Sequence, residues 1–269
     1  MTWLSCWCLR GDSHESAATI NKWVAEKTND KVTEIVPASA INDLTRLILV
    51  NAVYFKGDWL KKFNSDSTQE CDFQVSASET VRVKMMYMKA KFYYGVSEQL
   101  HCQAIELSYA GDTLSMFVIL PDHTATNLGE VEKNLTSDDL VNVSQKFQMA
   151  FLEVKLWLPK FRLDEKLSLA EALSNLGMKD LFLESTADLS GVDGTKELYV
   201  SSVLHRAVVD VNEEGTEAAA ATAVVMQTRC AIISKQFTFR ADHPFLFFIQ
   251  DKATKSILFL GRLVKPPAV

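Results

Sequence analysis

The sequence predicts a single soluble domain of the mixed α+β class. Segments with the alternating or continuous apolar patterns of β-strands occur along most of the chain, and amphipathic helices separate some of them. No internal repeat, proline-rich linker or change in composition divides the 269 residues. A chain of this length without such a break is typical of one domain with a large core.

The composition is that of an ordinary globular protein, with 48% hydrophobic and 23% charged residues. The net charge of -6 gives no reason to expect a nucleic acid or an anionic membrane as partner. The five cysteines are odd in number and scattered, which argues against a disulfide framework and favours a reducing compartment. We therefore expect a cytoplasmic protein, with the extracellular space as the alternative.

Residues 1–12 differ from the rest of the chain. The apolar run from Met1 to Arg10 is too short to span a membrane, and its charge follows the run, whereas a signal peptide carries the charge in front. Cys6 and Cys8 have the spacing of half a metal site, but no second pair of Cys or His residues stands near them. We therefore expect no metal and no cofactor.

The first elements that the sequence predicts are one helix and one strand. Apolar residues recur at i, i+3 and i+4 between Ser16 and Lys27, which predicts an amphipathic helix. The nearly continuous apolar run Leu47–Phe55 is typical of a strand that is buried on both faces. Asn51 lies in its middle, and a buried amide there needs hydrogen-bond partners.

The same patterns predict further elements along the chain. A capping box at Ser168–Glu171 predicts a helix that continues to Leu176 and stops at Gly177. The other predicted strands are Leu114–Leu120, Leu152–Leu158, Leu198–Val211, Ile232–Phe239, Phe245–Ile249 and Ile257–Leu260.

The residues offer no catalytic constellation. None of the histidines forms a HExxH motif or a paired metal spacing, and neither GxSxG nor a P-loop occurs. We expect that the chain is not an enzyme. Ser13 is the remaining candidate for a hydrolase nucleophile, but it lacks the strand–turn–helix setting that exposes such a serine.

The segment Asn212–Val224 consists almost entirely of small residues from Gly215 onwards. One interpretation is an exposed helical turn or linker, because alanine is the best helix former. The other is a strand that slips between two existing strands, where large side chains would be penalised.

Four sequence blocks resemble the serpin family, in family order. Glu213–Thr222 is similar to the hinge of the serpin reactive-centre loop, and Phe239–Ile249 resembles the C-terminal signature. Asn51–Trp59 and Leu158–Phe161 are similar to two further blocks, and the ovalbumin-type (clade B) intracellular serpins resemble the chain most. The resemblance implies the serpin fold over residues 13–269: a large mixed β-sheet with further sheets and helices, and an exposed reactive-centre loop.

This resemblance also implies a function and a set of site residues. The chain would inhibit a serine protease as a suicide substrate, as a monomer, by inserting its cleaved loop into the main sheet while the enzyme is held as a covalent acyl complex. Asn51 and His205 would belong to the polar cluster where the sheet opens, with Trp59 and Lys160 where the loop enters it. The hinge would comprise Glu213, Glu214, Gly215, Thr216, Glu217, Ala218, Ala219, Ala220, Ala221 and Thr222.

Family spacing from Gly215 places the reactive bond between Arg229 and Cys230. Arg229 is the only charged side chain between Val224 and Ile233, and its guanidinium suits the carboxylate in the specificity pocket of a trypsin-like enzyme. Met226 is the rival and would suit a chymotrypsin-like target.

The chain is shorter than a typical serpin, and the absent part precedes the Ser16–Lys27 helix. The resemblance implies that early helices and some sheet strands are lacking. We therefore expect an open apolar edge along Leu47–Phe55, which favours aggregation. The alternative function is that of a non-inhibitory or inactive truncated serpin with a binding, storage or chaperone-like role.

Overall fold

The computed structural model of the protein describes residues 2–8, 13–42, 44–214 and 236–266. The chain divides into two compact units. Unit one comprises Met1–Phe55 and Arg162–Asp210, and unit two comprises Lys56–Phe161 and Val211–Val269. The mixed α+β class is confirmed, and the prediction of one domain over residues 13–269 stays a prediction.

The described residues form the following strands and α-helices. The strands are β1 (Thr2–Cys8), β2 (Leu47–Phe55), β3 (Gln69–Gln74), β4 (Thr80–Ser97), β5 (Cys102–Ser108), β6 (Leu114–Pro121), β7 (Ala150–Pro159), β8 (Phe161–Ser168), β9 (Val200–Val211), β10 (Phe237–Arg240), β11 (Phe245–Asp251) and β12 (Ile257–Leu263). The α-helices are α1 (Ser13–Lys27), α2 (Leu128–Asn134), α3 (Ser137–Val141), α4 (Val143–Lys146), α5 (Ala170–Asn175) and α6 (Ser190–Asp193). None of these helices is both long and apolar enough to cross a membrane.

Unit one is built on a four-stranded sheet in the order β1-β2-β9-β8. The two central strands, β2 and β9, run parallel to each other. The apolar stripe of α1 packs on this sheet, where Ile20 and Val24 share a buried cluster with Ile48, Val50 and Val208. The predicted amphipathic helix and the predicted buried strand are therefore two sides of one core.

The expected open edge along Leu47–Phe55 is wrong, because β1 occupies it. β1 pairs antiparallel with β2 from Thr2 opposite Val53 to Cys8 opposite Leu47. The segment resembles no family block, so the resemblance gave no reason to expect a strand there. Its Thr and Trp residues nevertheless have high β-propensity, and the free backbone groups of β2 offer a partner for such a strand.

The helix predicted from Ser168 begins later, and its capping box does not form. β8 extends through Ser168, and α5 starts at Ala170 after Leu169, whose side chain makes no cap hydrogen bond. The Leu169 N–H donates to the Val203 carbonyl oxygen at 2.9 Å, which holds this position to the sheet. Leu176, the last residue of the predicted helix, lies beyond the end of α5 and is 82% exposed.

Unit two is built on an eight-stranded sheet in the order β10-β7-β4-β5-β6-β11-β12, with β3 paired to β4. The sheet is mixed, because β10 pairs with β7 in parallel while the other neighbouring strands of the sheet pair antiparallel. Phe117 and Phe248 stack at 5.0 Å in the core on one side of it. Gly95 on β4 permits the close approach of the backbone after α4, since a Cβ there would lie 2.0 Å from the Phe147 carbonyl oxygen.

Candidate functional site

Asn51 and His205 meet at the centre of the parallel β2–β9 pair in unit one. They are direct register partners, and His205 Nδ1 lies 2.7 Å from Asn51 Oδ1. With the amide oxygen as acceptor, His205 donates from Nδ1 and the imidazole is in a defined orientation. The structure therefore brings together the two residues that the family resemblance assigned to the polar cluster, while their role in sheet opening stays a prediction.

The surroundings of this pair keep the imidazole neutral. Burial lowers the pKa of His205 below its ordinary value, and the hydrogen bond to Asn51 raises it by a smaller amount. The pairing of β2 with β9 continues without a shift from Ile48 opposite Ser202 to Phe55 opposite Val209. Any strand that entered between β2 and β9 would have to replace this ladder and separate Asn51 from His205.

In unit two, the backbone that follows β9 is tied down at Asn212 and Glu213. The indole Nε1–H of Trp59 donates to the Asn212 carbonyl oxygen at 2.8 Å. The Phe63 N–H donates to the Glu213 carbonyl oxygen at 3.0 Å. Trp59 is itself buried and stacks on Tyr109 with ring centroids 4.5 Å apart. A rigid aromatic pair thus holds the chain where it leaves the strand.

The Glu213 side chain adds a charged contact to this anchor. Its carboxylate accepts hydrogen bonds from Lys160 Nζ at 2.8 Å and from the Thr68 hydroxyl at 2.9 Å. The Glu213 side chain is only 12% exposed, whereas that of Lys160 is 44% exposed. Burial raises the pKa of Glu213, but the hydrogen bonds from Lys160 and Thr68 and the charge of Lys160 contribute to a larger total decrease. The net pKa therefore lies below the usual range, and the carboxylate is ionised.

The remaining member of the anchor is Glu214, whose N–H donates to Asn212 Oδ1 at 3.1 Å. We call Asn212–Glu214 with Trp59, Phe63, Thr68 and Lys160 the hinge anchor. The other predicted site residues lie outside the described residues: Gly215, Thr216, Glu217, Ala218, Ala219, Ala220, Ala221, Thr222, Arg229 and Cys230.

Two residues of the hinge anchor were not predicted from the sequence. Thr68 and Phe63 lie in a polar connecting segment without a strand or helix period, and Thr68 stands 145 positions from Glu213 in the chain. Only tertiary structure joins such distant positions. Trp59 and Lys160 were found because they belong to sequence blocks that resemble a family.

Histidine, cysteine and acidic side chains of the described residues form no group of three or more that could bind a metal ion. The cysteines with described side chains are Cys71, which is partly exposed, and Cys102, which is buried. Burial raises the pKa of the Cys102 thiol to about 12, so it is not a thiolate nucleophile at neutral pH.

Comparison with known proteins gives a consistent result. The family pattern described as Serpin (serine protease inhibitor) matches residues 10–266. The chain is 46% identical over 255 residues to the leukocyte elastase inhibitor of Bos taurus, covering 94% of this chain and 67% of the relative. It is 43% identical to the leukocyte elastase inhibitor of Homo sapiens over 257 residues, with the same two coverages.

Solved structures agree with the sequence relatives. Uncleaved ovalbumin is similar with a TM-score of 0.83 and 32% identity, covering 95% of this chain and 64% of that one. A structure described as a tumour suppressing serpin is similar with a TM-score of 0.80 and 33% identity, covering 94% of this chain and 65% of that one. The chain thus spans about two thirds of the length of the proteins that it matches.

Proposed function

Because the chain belongs to the serpin family, we propose that it inhibits a serine protease as a suicide substrate. The hinge anchor is the observation that carries this proposal. It fixes the chain at Asn212–Glu214, immediately before the run of small residues that begins at Gly215. A segment that must move as a strand needs one fixed end, and the anchor supplies that end.

Strand direction supports the proposal. A chain that leaves β9 and turns back runs antiparallel to β9, and it is also antiparallel to β2 because β2 and β9 are parallel. A strand inserted between them would therefore pair with both neighbours in the antiparallel arrangement, which is slightly the more stable one. Small side chains at Thr216, Ala218 and Ala220 would let it enter a packed interior.

The covalent step needs no catalytic residue of this chain, which acts as substrate and not as enzyme. The serine hydroxyl of the protease attacks the carbonyl carbon of Arg229, and the peptide bond to Cys230 breaks. Cys230 leaves as a free amine that takes its proton from the enzyme's histidine, and Arg229 remains bound to the enzyme as an ester.

Insertion then competes with hydrolysis of that ester. About fifteen inserted residues that gain roughly 1 kcal/mol net each from backbone hydrogen bonds supply a free energy comparable to the stability of a whole domain. That free energy is sufficient to distort the active site of the attached enzyme before water cleaves the ester. The Asn51–His205 hydrogen bond is one of the contacts that insertion would exchange.

The residues around the predicted reactive bond support one target class. Arg229 favours a trypsin-like enzyme, because guanidinium forms charge-assisted hydrogen bonds with a carboxylate at the base of the specificity pocket. Two similar proteins are named leukocyte elastase inhibitors, and Met226 is the residue that would serve a chymotrypsin-like enzyme. We propose trypsin-like targets, inhibited in the cytoplasm.

The test is to mix the purified chain with trypsin and, separately, with elastase and to look for a complex that survives SDS. The proposal expects a complex with trypsin whose released fragment begins at Cys230. Thr216→Arg should convert the inhibitor into a cleaved substrate, because a charge would be buried as the strand inserts. Glu217→Arg is the matched control: because neighbouring side chains of a strand face opposite sides, position 217 would face outward in the inserted strand, and this variant should still trap the enzyme.

Cleavage without any stable complex would overturn inhibition and favour the second candidate, a non-inhibitory serpin. A complex with elastase alone, or a fragment that begins elsewhere, would retain inhibition and remove Arg229 from its role.

A further inference from the structure

A cavity of about 440 Å³ opens on the surface of unit two. Ser76 and Ala77 of the turn between β3 and β4 line one side, and Asn127 at the start of α2 lines another. His243 and Pro244, which precede β11, complete it. We call this space the His123–His243 cavity. Its volume is in the range of about 300–1,000 Å³ that holds small organic ligands.

Every ionisable residue among the described residues that line this cavity is basic. These residues are His123, His243 and Arg262. The rings of His123 and His243 lie 4.7 Å apart, so the two imidazoles form one patch. The rest of the lining combines apolar side chains such as Leu128 and Val264 with small polar ones. An apolar pocket with a few convergent polar groups is the usual form of a small-molecule site.

Hydrogen bonds assign a positive charge to His243. Its Nδ1 lies 3.0 Å from Asp242 Oδ1, and its Nε2 lies 2.7 Å from the Pro121 carbonyl oxygen. Both partners are acceptors, and an imidazole can donate from both nitrogens only as the imidazolium. Burial raises the pKa of Asp242, but the hydrogen bonds and charges of His243 and Arg240 together lower it by more, so its net pKa lies below the ordinary value and the carboxylate is ionised.

Nearby acids do not remove the basic character of the lining. The Asp242 carboxylate is occupied by His243 and by Arg240 at 2.7 Å. The Asp122 carboxylate accepts two hydrogen bonds from Thr124. Neither carboxylate lines the cavity.

Glu132 is the third acid near the cavity, and it contacts Arg262 at 3.3 Å. The Arg262 side chain is 61% exposed, so this ion pair is weak and solvent competes for it. A ligand anion in the cavity can therefore share the guanidinium.

We propose that the His123–His243 cavity binds a small organic anion, with an apolar body against Leu128 and Val264 and one carboxylate or sulfonate facing the two histidines and Arg262. This site shares no residue with the hinge anchor or with the predicted reactive bond. Its ligand would therefore bind whether or not the chain inhibits a protease.

A fluorescent pair of probes tests the proposal on the full chain. 8-Anilino-1-naphthalenesulfonate carries the anionic group, and N-phenyl-1-naphthylamine has the same apolar body without it. The proposal expects saturable one-to-one binding of the sulfonate, at least tenfold tighter than the neutral amine. Equal affinity of the two probes would overturn it, because the basic patch would then contribute nothing.

Variants locate the binding. His123→Gln and Arg262→Gln should each weaken sulfonate binding about fivefold while leaving the neutral probe unchanged, since each removes one attraction to the anion. Arg82→Gln is the matched control, because Arg82 also pairs with acids on a strand of unit two but lies outside the cavity. Two outcomes would overturn the site, because both would mean that the probe binds elsewhere. In the first, Arg82→Gln weakens sulfonate binding as strongly as Arg262→Gln does; in the second, none of the three variants changes it.

The pH dependence supplies an independent readout. Burial lowers the pKa of His243, but Asp242 and the Pro121 carbonyl raise it by more, so the net pKa lies above the ordinary 6.5. Affinity for the sulfonate should fall as pH rises through this raised pKa, and affinity for the neutral probe should not change. The other charged groups that contact or lie beside His243 and Arg262 are Asp242, Asp122, Arg240 and Glu132. A flat profile for the sulfonate would contradict the proposal.

Discussion

Replacing Glu213 by lysine should destabilise unit two through the hinge anchor. The change removes the carboxylate that accepts from Lys160 at 2.8 Å and from Thr68 at 2.9 Å, and it places a second ammonium group beside Lys160. The exposure of Lys160 limits each electrostatic contribution, because water screens a charge that is 44% exposed.

The magnitude follows from three contributions. Loss of the Lys160–Glu213 attraction costs about 1 kcal/mol for a partly exposed pair. Repulsion between two ammonium groups about 4 Å apart costs about 1 kcal/mol when water screens them. Loss of the Thr68 hydrogen bond to a charged acceptor costs about 1 kcal/mol more. The expected decrease in the free energy of unfolding is therefore about 3 kcal/mol.

Urea unfolding of four proteins measures this prediction: the parent chain, Glu213→Lys, Lys160→Glu and the double variant with the pair reversed. The reversed pair should recover about 1 kcal/mol or more relative to the sum of the single changes, because it restores the attraction. Glu213→Gln is the control for shape, and it should cost less than half as much as Glu213→Lys. A loss below about 0.5 kcal/mol in Glu213→Lys, or a reversed pair without recovery, would refute the assignment of Glu213 and Lys160 as an anchor.

Three further predictions address other parts of the chain. Deleting residues 2–8 should increase aggregation, measured by light scattering, because it uncovers the edge of β2; an unchanged signal would mean that β1 does not protect that edge. The neutral His205 should stabilise the fold at pH values above its ordinary pKa of 6.5, and this contribution should be lost as pH falls through its lower folded-state pKa. His205→Gln should therefore flatten the pH dependence of the melting temperature on the acid side. An unaltered profile would argue against a neutral imidazole in the folded protein. Arg229→Ala should abolish cleavage by trypsin at that position and leave the melting temperature unchanged, which peptide sequencing and a thermal melt can check.

Several strands of the fold could be predicted from the apolar patterns of the sequence. β2 coincides with the predicted Leu47–Phe55, because a buried strand leaves a continuous apolar run with no competing pattern. The predicted capping box at Ser168 failed, because hydrogen bonding at the end of β8 outweighed a local helix signal. β1 was missed because its short apolar run has no partner that the sequence alone can reveal.

The candidate site, too, could be predicted only in part from the sequence. Family blocks pointed to Asn51, Trp59, Lys160 and Glu213, and the structure shows the specific contacts that these residues make. The contribution of Thr68 depends on a fold that joins positions 145 residues apart, which no local pattern contains. The family resemblance therefore pointed to Trp59, Lys160 and Glu213, whereas the contact with Thr68 follows only from the three-dimensional structure.

The parallel pairing of β2 with β9 has a consequence for synthesis of the chain. Asn51 and His205 are 154 positions apart, so β2 leaves the ribosome long before β9 exists. At about 5–20 residues per second, the interval is roughly 8–30 s. β1 is already available during that time and can pair with one edge of β2, but the other edge has to wait. The nascent chain therefore exposes one edge of an apolar strand for many seconds, until β9 is synthesised and pairs with it.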